Sequence, residues 1–171
     1  MKDVFLVYSG CCFYEITVLS YFMSFSHCDT ALCSLDGKPV RAMEGFSVNV
    51  DLSLADLPSG QLRSFILPGG SSSGIDCAEV WSILRRLNER NVLIAGICAG
   101  VDVLDHAGLL HDVRSTHTVP DDLVHDKNVI TARANAYVDF AIETAMTLGL
   151  FTGEEDLRET IRFWKDRQSI Q

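Results

Sequence analysis

Long apolar runs are missing from this 171-residue chain. No stretch reaches the length needed to cross a bilayer, so a membrane is not expected as a partner. The start, "MKDVFLVYSG", has neither the extended apolar segment nor the small-residue cleavage site of a signal peptide. A cytoplasmic location is therefore expected. Basic charge is scarce as well: 14 Lys and Arg stand against 23 Asp and Glu, a formal net charge of -9. With no local Lys/Arg stripe to offset that balance, a phosphate backbone would be repelled, and nucleic acid is not expected as a partner.

Metal-ligand spacings are lacking too. The six cysteines (Cys11, Cys12, Cys28, Cys33, Cys77 and Cys98) form no CxxC pair, and the five histidines are scattered with no HExxH. In a chain expected inside the cell these are reduced thiols rather than disulfides. Neither a metal nor a cofactor is expected. Internal repeats, low-complexity tracts and linkers are also absent. The composition, 47% hydrophobic and 22% charged, is that of an ordinary globular protein. The length suits one well-buried domain over residues 1–171 and is too short for two of ordinary size.

What is present is an alternation of apolar runs and helical periods. "DVFLVYSG" (3–10) reads as a strand and "YEITVLSYFMSF" as the helix after it; "TALCSL" (30–35) is a second strand and "SFILPGG" (64–70) a third. "AEVWSILRRLNER" (78–90) has one apolar helical face, and "NVLIAGI" (91–97) is a buried strand. "AGVDVLDHAGLL" (99–110) follows as a helix with its C-terminal glycine at Gly108. A strand at 128–133, the helix "YVDFAIETAMTLGL" and a final amphipathic helix, "GEEDLRETIRFWKDR", complete the pattern. Continuous apolar strands, each followed by a helix, imply a mostly parallel sheet covered on both faces, with an antiparallel hairpin expected within 36–51. Such sheets place their sites at the carboxyl ends of the strands. Here those ends are "SGCCFYE", "LPGGSSSG" and "GICAG".

Each end carries a candidate residue with a plainer alternative. Cys98 lies in a G-x-C-x-G pattern, where Gly96 and Gly100 permit close approach around a strand-to-helix corner, the logic of a nucleophile elbow. At a helix N-terminus its thiol pKa is expected to be lowered. The alternative is a buried packing cysteine. Glu15 is either a carboxyl held protonated against that thiolate or a first-turn glutamate answering a helix dipole. In "PGGSSSG", Gly69 and Gly70 can offer N–H groups to an oxyanion together with Ala99, or can form a simple turn. The loop lacks the GK[ST] ending of a phosphate cradle. His117, in a short β-like stretch after the elbow helix, is a candidate general base or acid. His27, His106, His111 and His125 read as surface or packing residues.

Taken together these segments resemble the ThiJ/PfpI superfamily, the class-I glutamine-amidotransferase-like group. That group includes the parkinsonism-associated deglycase, PfpI-type proteases, glyoxalase-III-type chaperones and isocyanide hydratases. The resemblance runs from "FLVYSGCCFYEITVL" through "ILPGG" and "AGICAGVDVLDHAGLL" to "STH" and "VITARANAYVDFAIE". It implies a flavodoxin-like three-layer α/β/α sandwich and a homodimer. By it Cys98 corresponds to the nucleophile, Glu15 to the carboxylic acid beside it, and His117 to the nearby histidine. Gly69, Gly70 and Ala99 correspond to the oxyanion pocket. The "CCFYE" segment departs from the family's usual Gly-Phe-Glu-like sequence and adds two thiols to the pocket wall. For the acid paired with His117, Asp121, Asp122, Asp139 and a residue of a neighbouring subunit stand as candidates.

The function implied is a cysteine-dependent hydrolase, amidase or glyoxalase/deglycase acting on a small molecule or peptide. Its Cys98 thiolate would attack a carbonyl or amide. The alternatives are a redox-sensing stress protein or chaperone that uses oxidation of Cys98, and a small-metabolite binding module.

Overall fold

The central strands of this protein carry continuous apolar segments because both of their faces are covered. The computed structural model describes residues 1–58 and 60–169. In chain order the elements are β1 (Lys2–Leu6), α1 (Tyr14–Phe25), β2 (Asp29–Ser34), β3 (Val40–Arg41), β4 (Ser47–Val48), β5 (Leu52–Ser53), β6 (Leu62–Leu67), α2 (Ala78–Glu89), β7 (Leu93–Ile97), α3 (Ala99–His106), β8 (Leu123–Asp126), β9 (Val129–Ala132), α4 (Tyr137–Thr147) and α5 (Glu154–Trp164). Every residue of β7 and β9 is buried, which a strand exposed on one side would not show.

Among the described residues, seven strands form one sheet in the order β5-β2-β1-β6-β7-β9-β8. All neighbours are parallel except β8 and β9. From β1 the chain runs through α1 to β2 on one side, and from β6 through α2 and α3 to β7 and β9 on the other. Right-handed crossovers therefore place α1 on one face and α2 and α3 on the opposite face. Helix α4 packs against α1, completing the three layers of a flavodoxin-like sandwich. The direction of winding reverses between β1 and β6, and α/β sheets open a crevice at such a reversal. Phe5, Phe65 and Phe140 are fully buried in the core. Each burial contributes roughly 1.5–3 kcal/mol relative to exposure.

Several boundaries differ from the sequence expectation. β1 stops at Leu6 and β6 at Leu67, and the chain beyond them turns into the site. Helix α3 ends at His106 rather than at 110. Gly108, at φ +82°, lies just past its end, with the Gly108 N–H bonded to the Asp105 carbonyl and the Leu109 N–H to the Leu104 carbonyl. The expected hairpin is β3–β4. The short edge strands β5 and β8 lie outside the sequence expectation because they carry no strong apolar run. His117 lies in a turn, not in a β-like stretch. No helix among the described residues is long and apolar enough to cross a membrane.

At the amino ends of the strands, away from the crevice, Asp3 is fully buried. It accepts hydrogen bonds from the Arg63 guanidinium and from Ser64 Oγ at 2.7 Å. The Asp3 carboxylate holds the Arg63 guanidinium above its ordinary pKa. A buried charge is tolerated there because each of its oxygens is answered.

Candidate active site

Three strand ends meet at the crevice. Cys98 links β7 to α3 with φ 55° and ψ -129°, a conformation that costs a non-glycine residue on the order of 1–3 kcal/mol. Its backbone is pinned by the Cys98 N–H donating to the Ala132 carbonyl at 2.9 Å. The flanking glycines are required by contact. A Cβ on Gly100 would stand 2.5 Å from the Leu67 carbonyl oxygen, and one on Gly96 2.8 Å from Leu104. Gly69 is tighter against the thiol, since a Cβ there would lie 2.5 Å from Cys98 Cβ and 2.7 Å from Sγ. The G-x-C-x-G pattern thus lets β7, α3 and the β6 loop close around one sulfur.

Glu15, in the first turn of α1, has no solvent exposure. Its Oε2 accepts the Gly69 N–H at 2.6 Å, and its Oε1 faces the Tyr14 hydroxyl at 3.5 Å. The Cys98 side chain packs on the same Gly69 that holds this carboxyl, close enough for the thiol and the carboxyl to shift one another's pKa. The free N–H of Tyr14 at the start of α1 is answered instead by Glu44 Oε1 at 2.7 Å, from the β3–β4 loop. Glu15 is therefore turned toward the thiol rather than serving as a dipole partner at the helix end.

Burial pushes the Glu15 carboxyl above the ordinary carboxylate range, against the opposing effect of the Gly69 N–H. Burial also pushes the Cys98 thiol up, and the Glu15 charge adds to this, while the N–H groups of Ala99 and Gly70 pull it down. The expectation of a lowered Cys98 pKa is corrected accordingly. At this corner the loss of water around the sulfur, together with the Glu15 charge, outweighs the N–H groups of Ala99 and Gly70.

The oxyanion donors need a correction as well. Gly70 and Ala99 present their N–H groups toward Cys98, but the Gly69 N–H is already committed to Glu15. Gly70 adopts φ +115° and packs so closely on the Gly10 carbonyl that a Cβ would stand 2.1 Å from it. Gly70 also pairs with Cys11 in an isolated bridge, which fixes the loop after β6 against the loop after β1.

His117 has both ring nitrogens on carboxylates of α3, Nδ1 on Asp105 at 3.1 Å and Nε2 on Asp102 at 3.2 Å. Its acidic partners are thus not Asp121, Asp122 or Asp139. Asp122 lies 3.5 Å from Arg133 and accepts from Asn135 at 2.8 Å, while Asp139 pairs with Lys165. Among the described residues no hydrogen bond joins His117 to Cys98. Of the other histidines, His106 pairs with Asp76 and His125 with Glu143. Among the described residues no cluster of three or more His, Cys, Asp or Glu side chains is arranged to hold a metal ion.

Tyr8 is a pocket residue that no sequence motif singles out. It is buried, and its hydroxyl donates to the Gly69 carbonyl at 2.7 Å, which also accepts the Cys12 N–H at 2.8 Å. Burial first, and then the surrounding thiols and Glu15, push the Tyr8 phenol above its ordinary pKa. Its place just beyond β1, at a strand's carboxyl end, was the available signal. Asp102 and Asp105 had one too, the three-residue spacing that puts them on one side of α3.

A mostly parallel α/β sandwich with a strained cysteine beside its topological switch point defines the class of protein. The chain belongs to the DJ-1/PfpI family, which it matches over residues 1–147; α5 lies beyond the match. It is 27% identical over 146 residues to a Bacillus subtilis protein named uncharacterized protease YoaZ, covering 73% of this chain and 66% of that one. It is 29% identical over 82 residues to the Thermococcus kodakarensis deglycase TK1284, covering 47% of this chain and 49% of that one. The matches therefore span less than two thirds of either relative. The crystal structure of the DJ-1 superfamily protein Atu0886 from Agrobacterium tumefaciens superposes with a TM-score of 0.87 at 26% identity, covering 98% of this chain and 100% of that one.

Proposed function

We propose that the protein is a cysteine-dependent enzyme of the hydrolase/amidase or glyoxalase/deglycase type. The observation that carries the proposal is the meeting, at Gly69, of a strained Cys98 and a fully buried Glu15 carboxyl. The names protease and deglycase borne by two relatives favour chemistry at a carbonyl carbon.

In this reading the thiolate adds to the carbonyl carbon, a C–S bond forms, and the carbonyl π pair moves onto oxygen. The N–H groups of Gly70 and Ala99 receive that oxyanion. Glu15 takes up the thiol proton as the thiolate forms, because burial and the adjacent negative charge both favour its neutral form. As a neutral acid it donates to the sulfur, then supplies the proton that an amine leaving group or a hemithioacetal oxygen requires. Gly69 keeps Glu15 in place rather than holding substrate. The test is turnover of methylglyoxal and of peptide and simple amide substrates, with a mass search for an adduct on Cys98. Cys98→Ala is expected to abolish both turnover and adduct, and turnover surviving in that variant would sink the reading.

A further inference from the structure

The Cys11–Cys12 pair is the part of the pocket that the proposed reaction leaves unused. The two thiols differ sharply in surroundings. Cys11 is fully buried under the bridge to Gly70, whereas Cys12 is half-buried, as is Cys98. Cys12 and Cys98 meet the same residue from two directions. The Cys12 N–H donates to the Gly69 carbonyl at 2.8 Å, and the Cys98 side chain packs onto the Gly69 Cα where a Cβ would be. Glu15 follows Cys12 by three residues, and its carboxyl is held by the same Gly69 on which the Cys98 side chain packs. The Cys12 thiol is pushed up to about 11, by burial first and then by the charges of Glu15 and Cys98.

The remaining thiols are placed differently. Cys33 is fully buried in β2, Cys28 sits beside Arg63 near the amino ends of the strands, and Cys77 precedes α2.

We infer that Cys12 is a resolving thiol for Cys98, so that a hydroperoxide converts the pocket to a Cys12–Cys98 disulfide. The inference rests on the reactive Cys98 of the proposed function. The Cys98 thiolate attacks the outer oxygen of the hydroperoxide, the O–O bond breaks, and the leaving alkoxide or hydroxide takes a proton from Glu15. Cys98 is then a sulfenic acid. The Cys12 sulfur attacks the Cys98 sulfur, the S–O bond breaks, and hydroxide leaves with the Cys12 proton as water. Two thiols lose two electrons and the peroxide gains them. A dithiol reductant restores the pocket.

A half-exposed neighbour is also what separates a reversible outcome from an irreversible one. Without a resolving partner, a sulfenic acid meeting a second peroxide proceeds to the sulfinic acid.

The experiment titrates the fully reduced chain with hydrogen peroxide, blocks the remaining thiols by alkylation, and reads intact mass and peptide maps with and without dithiothreitol. The wild type is expected to lose two alkylatable thiols, to yield a Cys12–Cys98 linked peptide, and to recover fully with dithiothreitol. Cys12→Ser is expected to lose one thiol, gain two oxygens on Cys98, and fail to recover. Cys77→Ser is expected to behave as wild type. Wild-type Cys98 carrying two oxygens beside a free Cys12 would overturn the inference and leave the reactive Cys98 standing. A Cys98 that stays reduced while other thiols oxidise would overturn both.

Discussion

The Gly69 N–H donates to Glu15 Oε2 at 2.6 Å, which removes the first glycine of the "PGG" turn from the oxyanion pocket and makes it the anchor of the carboxyl. With one oxygen held there, the carboxyl has a fixed orientation toward Cys98, and its proton controls what the sulfur feels. Glu15→Gln keeps a donor and removes a charge; Glu15→Leu removes both. The Cys98 thiol is therefore expected to titrate no higher in Glu15→Gln than in wild type, and higher in Glu15→Leu than in Glu15→Gln. Thiolate absorbance against pH measures the order. Three identical curves would take Glu15 out of the site.

The same carboxyl makes stability depend on pH in an unusual direction. Its folded pKa is raised, so above the unfolded carboxylate value the folded state binds more protons than the unfolded one. Stability contributed by the protonated carboxyl is present in acid and is lost as pH climbs from the ordinary carboxylate range through the raised value. Glu15→Gln has no such loss. The stability of Glu15→Gln relative to wild type is expected to grow between acid and neutral pH, as read by urea unfolding at several pH values. A constant difference would mean that Glu15 is not raised.

Gly69→Ala probes the contact from the other side. The new Cβ would overlap Cys98 Cβ and Sγ, both anchored to a backbone that has little freedom to move. Overpacking of this kind costs about 1–3 kcal/mol. It also displaces the sulfur, so alkylation of Cys98 and turnover are expected to fall together with the thermal midpoint. Normal stability and normal reactivity in Gly69→Ala would contradict the packing described here.

The sandwich was legible in the sequence because strands covered on both faces carry continuous apolar segments, as "VFL", "FIL" and "LIAGI" do in β1, β6 and β7. The short strands β5 and β8 were not, since two to four residues carry too little period to stand out. At the site, Cys98 and the glycines around it were legible from the G-x-C-x-G spacing, a local pattern with a steric cause. The partners of His117 and the role of Glu44 depend on how a turn folds back onto α3 and how a hairpin loop reaches α1. Such contacts are set by tertiary packing. The Cys98 pKa was misjudged for a related reason: a helix N-terminus can be read from sequence, whereas the desolvation opposing it belongs to the assembled pocket.

Asp3 offers a stability test remote from the chemistry. Asp3→Ala leaves the Arg63 guanidinium without its carboxylate and the buried Ser64 hydroxyl without its acceptor. Removing one member of such a pair is expected to cost about 3 kcal/mol. Arg63 reaches solvent in part, with 26% side-chain exposure, which keeps the loss toward the lower end of the range for buried pairs. Cys98 alkylation under folding conditions is expected to match wild type. A chemical denaturation midpoint unchanged in Asp3→Ala would show that the pair does not stabilise the β1–β6 junction.

His117 is the residue on which expectation and geometry diverge most. Its two nitrogens rest on Asp102 and Asp105, both more than half exposed, in a turn that follows α3. Ion pairs that open to solvent contribute at most about 1 kcal/mol, so His117→Ala is expected to change the unfolding free energy by less than that. Because Glu15, and not His117, faces the sulfur, the Cys98 titration is expected to be unaltered and turnover to fall far less than in Cys98→Ala or Glu15→Leu. Asp102→Asn with Asp105→Asn releases the ring while keeping its size. If His117 acts on the reaction only after leaving these carboxylates, the double variant gains turnover and His117→Ala abolishes the gain. Turnover in His117→Ala as low as in Cys98→Ala, with an unchanged thiol titration, would assign the proton transfer to His117 instead of Glu15.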